Sequence, residues 1–330
     1  MRKLYFLLPG TTGKFYGGGL WAELNTYHLA QQICQVELLT YRQRESQTGF
    51  LADVLPQITP ESAIFVMGWG FDVPKIIQQL RGQNIIYHAH STNYGFTLPP
   101  QVPILAVSRH TMGYWGARAN NNSIYYLPNQ IAPEFRNLNQ PRDIDILVQT
   151  RKSSQYLQQQ LIPALQSQYR VEVIDRFVED LAALFNRSKI YLYDSAEYWA
   201  TSGVTEGFGL PPLEAIACGC QVFSSVNHGL ADYLDPGFNC HKIACYSPEY
   251  DLQKIARVIE KPLTIAESFI AEYRSERLLP RLNQILIEIN HFFDLQKNYR
   301  ANIQSLNKMR LNQLKMTKII RKIRQKLKRK

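Results

Sequence analysis

Apolar, strand-like stretches alternate with helical patterns through most of this chain. In the first half, residues 4–9, 36–40, 63–67, 84–88, 104–107 and 124–127 read as strands, and residues 20–33 as a helix. A glycine run, Gly17-Gly18-Gly19, separates the first strand from that helix, and Asn120-Asn121-Asn122 marks a turn. Residues 137–141 are polar and contain a proline, which makes them the best linker. A second series follows, with strands at 144–149, 171–174, 190–193 and 221–225 and helices at 155–168 and 180–186. Helices at 252–259 and 279–293 close the folded part. This alternation predicts parallel sheets with crossover helices, an α/β fold in two successive units. The end of the chain spaces Met316, Ile319, Ile320, Ile323 and Leu327 at i, i+3/i+4 among lysines and arginines, the pattern of a basic amphipathic helix.

Charge divides the chain in the same way. The net charge is +10, but residues 295–330 hold 13 Lys/Arg and no acidic residue. The other 294 residues carry 24 basic and 27 acidic side chains, so the basicity belongs to the tail. Such a tail suits an anionic membrane surface, contacted through residues 308–330. Nucleic acid is the weaker partner, because no aromatic residue follows Tyr299 for base stacking. A solvated, disordered end is the plain alternative. No apolar run approaches the ~18 residues of a membrane-spanning helix. The opening residues, 1–10, are followed at once by the glycine loop and read as a first strand, not a signal peptide. Five cysteines, odd in number and without C-x-x-C spacing, read as reduced apolar residues of a cytoplasmic protein and not as zinc ligands. The expected division is 1–139, 140–294 and a tail at 295–330.

The most informative segment is Thr205-Glu206-Gly207-Phe208-Gly209-Leu210-Pro211-Pro212-Leu213-Glu214-Ala215-Ile216-Ala217-Cys218-Gly219-Cys220. Pro211-Pro212 suits a helix start, because the first helical N–H groups have no partner to lose. Gly219 suits its C-terminal cap. Glu206 is then expected in the loop and Glu214 in the first helical turn, kept ionised by the helix dipole. Glycines between them let backbone N–H groups approach a ligand closely. Backbone donors, a positive helix end and two carboxylates suit a phosphate that carries many hydroxyls. An ordinary strand–loop–helix turn with solvated glutamates is the plain alternative.

This string closely resembles the E-x7-E motif of the group 1 (family 4) retaining glycosyltransferases. The resemblance implies the GT-B fold, two Rossmann-like domains facing across a cleft, the first (1–139) on the acceptor side and the second (140–294) binding the nucleotide sugar, here with a basic C-terminal helical tail. It also implies that Glu214 binds ribose hydroxyls and that Glu206, with the backbone of Gly207, Phe208, Gly209 and Leu210, holds the donor sugar. Three further strings agree in part. Gly18 and Gly19 fall where the family has a glycine-rich loop over donor and acceptor. Ala106-Val107-Ser108-Arg109 and the run 126–135 resemble family signatures near the hinge, with Gln130 and Ala132 replacing a glycine and an aspartate. Residues 224–232 resemble S-x-x-G-G-x-x-E, with Asp232 for the glutamate.

Two places bear on chemistry. Strand alternation puts His88 and His90 on one face, and two imidazoles there could bind a metal, but no third ligand is evident. In the family a histidine at this point lies near the donor sugar, and His90 fits it better. Arg151 matches a family arginine that offsets the leaving diphosphate's charge, but the lysine expected five positions later is Tyr156. Lys152 is the available substitute. Asp143-Ile144-Asp145 precedes its strand, so this D-x-D reads as a solvated strand entry.

The resemblance implies a retaining hexosyltransferase that moves a sugar from a nucleotide-sugar donor to a glycan or lipid-linked acceptor in polysaccharide biosynthesis. No metal or other cofactor is expected, and the implied location is the cytoplasmic face of a membrane. A catalytically inert GT-B protein that binds a sugar nucleotide or serves as a membrane scaffold is the alternative of a different class.

Overall fold

The computed structural model describes residues 1–15, 17–243, 245–296, 302–303 and 306–327, without the side chain of Lys14. Of the basic tail, Lys297, Arg300, Lys328, Arg329 and Lys330 lie outside these residues.

The first sheet holds β1 (Lys3–Leu8), β2 (Val36–Thr40), β3 (Gly49–Phe50), β4 (Ala63–Met67), β5 (Ile85–Ala89), β6 (Ile104–Ala106) and β7 (Ile124–Tyr126). Their spatial order is β3-β2-β1-β4-β5-β6-β7. Phe6 sits opposite Leu38 on one side and Val66 on the other, which fixes the register at the centre. The second sheet holds β8 (Ile144–Gln149), β9 (Val171–Ile174), β10 (Ser188–Tyr193), β11 (Gln221–Ser224) and β12 (His241–Lys242), in the order β12-β11-β10-β8-β9. Every strand pairing is parallel. Parallel strands need crossovers that cover both faces, which is why the central strands β1 and β4 read as nearly continuous apolar runs. Each order reverses once, at β1/β4 in the first sheet and at β10/β8 in the second. Ligands gather at such reversals, outside the carboxyl ends of the strands.

Several elements differ from the sequence expectation. The first helix is Gly18–Gln31, so Gly18 and Gly19 are its first residues and not part of a preceding loop. The expected helix at 155–168 is a π-helical stretch, Leu157–Leu161, running into Ile162–Gln166. The two-residue strands β3 and β12 are too short to leave a periodic trace. The helix Arg109–Arg118 escapes notice because Gly113 and Gly116 and its polar residues blur its pattern.

The last large helix, Ser275–Leu295, belongs by chain order to the second unit but packs on the first. Leu278, Leu282, Ile285, Leu286, Ile289 and Phe293 join Leu4, Phe6, Ile64 and Val66 in one buried cluster. Arg2 fastens the contact: its Nη2 donates to Asp294 at 2.6 Å and its backbone N–H to Asn290 Oδ1 at 3.0 Å. The chain therefore crosses between the units twice. At the crossings the Ile131 N–H donates to the Tyr273 carbonyl (2.9 Å), and Arg274 Nη1 donates to the Ala132 carbonyl (2.8 Å). The expected linker, 137–141, has no regular structure.

Candidate functional site

Glu206 is nearly buried, and its Oε2 accepts from three side chains. These are the Tyr193 hydroxyl (2.6 Å), the Ser195 hydroxyl (3.2 Å) and the Trp199 indole N–H (2.5 Å). Tyr193 ends β10, Ser195 follows it, and Trp199 lies in the helix Ala196–Ser202. Burial and the neighbouring Glu206 raise the Tyr193 pKa well above its ordinary value, so Tyr193 remains a donor. Three donors on one oxygen fix the carboxylate and leave Oε1 outside that clamp.

The loop after Glu206 requires its glycines. A Cβ on Gly207 would lie 1.5 Å from the His90 carbonyl oxygen, and one on Gly229 would lie 2.1 Å from the Gly207 carbonyl oxygen. Gly209 adopts φ +79°, the left-handed region that suits glycine. The Phe208 side chain is buried against Tyr233 and Tyr273, so only its backbone remains for a ligand. Leu210 opens the helix Leu210–Ala217. That helix ends in a Schellman motif: Gly219 N–H donates to the Ile216 carbonyl and Cys220 N–H to the Ala215 carbonyl, both at 2.9 Å.

The same loop closes the seam between the two units. Ser91 Oγ donates to the Thr205 carbonyl at 2.6 Å, and the Thr92 and Thr205 hydroxyls lie 2.8 Å apart. Asp232 crosses in the other direction, accepting from the backbone N–H groups of Arg109 and His110 at the start of the helix Arg109–Arg118.

Glu214 departs from its expected setting. It is the fifth residue of its helix and lies beyond the first turn, too far along for the dipole to hold it ionised. Burial, with the Glu134 carboxylate adding to it, raises its pKa to about 8. At neutral pH it is therefore a neutral acid that can donate as well as accept. An acid whose pKa is raised by folding stabilises the fold in its protonated form. That stability is full below its unfolded pKa, ~4.3, and is lost as pH rises through about 8. Glu214→Gln cannot ionise and should reduce the fall in Tm between pH 6 and 9, by ~2–4 °C per kcal/mol. Equal falls for the two proteins would refute this.

The cations stand at the β8/β10 reversal. Arg151, just past β8, is exposed, and Lys152 lies over the Trp199 ring at 4.4 Å from its centroid. Trp199 thus joins Lys152 to the Glu206 clamp. Tyr156 is turned away from this group: its hydroxyl donates to Asp251 at 2.6 Å, inside the cluster beneath the helix Pro248–Glu260. Asp143 pairs with Arg187 (2.6 Å) and Asp145 with Lys189 (2.7 Å) at the opposite, amino end of β8. The D-x-D is accordingly a strand entry remote from the cleft end.

His88 and His90 do share a face, with ring centroids 4.1 Å apart. The sequence reading missed the third member, Glu23, from the helix Gly18–Gln31. Its Oε2 takes His88 Nδ1 at 2.8 Å and also contacts His90 Nε2. A third donor atom is thus present, and the three groups could hold a metal ion. Burial alone would raise the Glu23 pKa, but the two imidazoles overcome it and hold it at about 2. His90 is lowered by burial and by His88. The available clue was composition: Glu23 is the sole acidic residue among the first 36. Gly18 and Gly19 lie at that helix's N-terminus with open space beyond their Cα atoms. Trp199 left no comparable sequence trace.

Residues 151–275 match the family model described as glycosyl transferases group 1. Over 103 residues the chain is 37% identical to the serotype-specific mannosyltransferase WbdA of Escherichia coli, covering 30% of this chain and 10% of that protein. The chain thus matches about a tenth of the length of this relative. Among solved structures, a sucrose-phosphate synthase from Thermosynechococcus elongatus has a TM-score of 0.59 at 14% identity, covering 88% of this chain and 99% of that one. HepE of Anabaena, in complex with UDP and glucose, has a TM-score of 0.58 at 16% identity, covering 87% and 99%. AviGT4, a glycosyltransferase involved in avilamycin A biosynthesis, has a TM-score of 0.59 at 13% identity, covering 89% and 98%. These likenesses show that the two-unit arrangement is the GT-B fold.

Proposed function

With a group 1 glycosyl transferase domain over residues 151–275 of a GT-B fold, we propose that this protein transfers a hexose from a nucleotide sugar to a glycan or lipid-linked acceptor with retention of configuration. The observation that carries this reading is the Glu206 carboxylate, clamped by three donors in a glycine loop that meets the other unit. Glu206 and the backbone of residues 207–210 hold the donor sugar, and Glu214 takes the ribose hydroxyls. Arg151 and Lys152 offset the diphosphate together with helix N-termini, and no metal is required. His90 lies across the seam beside the sugar. HepE carries UDP and glucose on the same fold, which supports a nucleotide sugar as donor.

The acceptor hydroxyl oxygen bonds to the anomeric carbon from the face that the diphosphate leaves. The carbon–oxygen bond to phosphate breaks, its electron pair departs with the diphosphate, and the hydroxyl proton passes to that leaving oxygen. Each interaction that strengthens as charge builds on the diphosphate lowers the barrier. The test is turnover on a panel of nucleotide sugars. Binding of one of them with neither transfer nor hydrolysis would favour an inert binding protein, the reading that Tyr156, turned toward Asp251, supports.

The helix Lys308–Leu327 supports a place on the cytoplasmic face of a membrane. Met316, Ile319, Ile320, Ile323 and Leu327 are exposed along it among its lysines and arginines. Among the described residues no helix is long and apolar enough to cross a membrane. Such a face lies in the interface plane, with ~1 kcal/mol from each basic residue near anionic lipid. Deleting 308–330 is expected to lower binding to phosphatidylglycerol-containing vesicles at least about tenfold. Unchanged cosedimentation would rule the tail out as an anchor.

A further inference from the structure

We propose that Trp199 is a positioning residue for the donor: it holds Lys152 and Glu206 at one fixed spacing, so that Lys152 takes the phosphate bonded to the transferred sugar. The inference rests on the transferase reading above and adds to it the selection of a nucleoside diphosphate. Trp199 lies in the helix Ala196–Ser202, between the end of β10 and Glu206. Its indole N–H donates to Glu206 Oε2, and its ring face carries Lys152 Nζ at 4.4 Å from the centroid. The Tyr198 ring meets Trp199 edge to face at 5.1 Å and lies 5.9 Å from the same ammonium.

Packing alone does not account for this placement. A half-buried side chain that only filled space would be served by leucine, whereas the edge and the face of this indole both engage charged groups of the site. The loop that carries Lys152 is also tied to the segment that carries Trp199. Ser154 N–H donates to the Asp194 carbonyl at 3.0 Å, and Gln155 N–H donates to the Glu197 carboxylate at 3.2 Å. Among the described residues no carboxylate pairs with Lys152. Its ammonium is held by aromatic rings, which leaves its N–H groups for a ligand.

A lysine on its flexible stem would otherwise sample many positions or collapse onto the nearest carboxylate. The ring prevents both. Glu206 takes the edge of the indole and Lys152 its face, so one rigid side chain sets the distance between anion and cation. Donation to the carboxylate polarises the indole and strengthens the hold of its face on the ammonium. A charge fixed in advance needs no reorganisation as charge builds on the leaving group. With ribose at Glu214 and the sugar at Glu206, the phosphate that Lys152 takes is the one joined to the sugar. A nucleoside monophosphate ends one phosphate short of it.

The probes are UDP, UMP, GDP and GMP, titrated calorimetrically into the full chain. The better diphosphate should bind the wild type at least about tenfold more tightly than its monophosphate. Trp199→Leu removes the ring face and should cut that preference about tenfold, with the monophosphate affinity unchanged. Trp199→Met replaces it if that variant unfolds. In a Lys152→Gln background the same change should have no further effect on the preference, because the cation it positions is gone. Trp199→Phe keeps an aromatic face and loses the N–H. It should retain most of the preference, while kcat on the best donor falls about tenfold at nearly constant KM. The proposal is overturned if the leucine or methionine variant keeps the preference or weakens both nucleotides alike. It is also overturned if the effect persists without Lys152, or if Trp199→Phe loses the preference as fully as leucine. A wild type that binds no nucleoside diphosphate would instead remove the transferase reading, and this inference with it.

Discussion

Glu206→Gln is expected to lower transfer turnover about 10²–10³-fold while the fold persists. The three donors on Glu206 converge on a single oxygen, Oε2. A glutamine can place its carbonyl oxygen there, keep all three bonds, and present an NH₂ where Oε1 was. Only the carboxylate character toward the ligand is removed. Glu206→Ala is a blunter change, because it strips the Tyr193 hydroxyl and the Trp199 indole N–H of their acceptor. Leaving a buried donor unsatisfied costs ~1–3 kcal/mol, so alanine should lower both turnover and Tm. The measurements are steady-state turnover on the best donor of the panel and a thermal melt of each variant. Wild-type turnover in the glutamine variant would remove Glu206 from the mechanism.

The second large effect is expected from Gly207→Ala. The added methyl would stand 1.5 Å from the His90 carbonyl oxygen, a backbone atom that has no rotamer to yield. The contact can be relieved only by moving the loop or by opening the seam, and the Ser91–Thr205 bonds would be strained by either movement. Turnover should fall about hundredfold or more, the scale of a ~1 Å misplacement of reacting groups. Nucleotide binding should persist, since Glu214, Arg151 and Lys152, the groups proposed to hold the nucleotide, all belong to the second unit. Small-angle scattering should show a larger radius of gyration than the wild type. An unchanged scattering curve with full turnover would mean that the seam plays no part in the reaction.

Of the fold and the site, the local parts were legible in advance. The strands β2, β4, β8 and β9 lie at the expected residues: β4 is apolar along its length, as burial in a parallel sheet requires, and the others keep Val, Ile or Leu at most positions. The turn at Gly209, the helix from Leu210 and the cap at Gly219 follow from what glycine and proline allow the backbone to do. Even the tail was readable, since an amphipathic helix writes its period into neighbouring residues. Errors entered where local rules compete. The glycines at 18 and 19 signalled a loop, yet they form the first turn of a helix whose Leu20, Ala22, Leu29 and Ala30 are buried. Glu214 was expected in the first turn and ionised, but it is the fifth residue of its helix, and burial raises its pKa to about 8.

The sequence by itself determined the two α/β units, the Glu206–Glu214 segment and the basic amphipathic tail, because each is specified by residues within a few positions of one another. Only the tertiary structure decided which distant groups meet. Glu23 reaches two histidines 65 and 67 residues away, and Ser91 closes on Thr205 across 114. The helix Ser275–Leu295 returns to cover the first sheet, and Tyr156 turns toward Asp251. Backbone conformation is set by short-range sterics, which local sequence carries. A polar contact across the fold depends on how the sheets and helices pack, and no spacing along the chain records that.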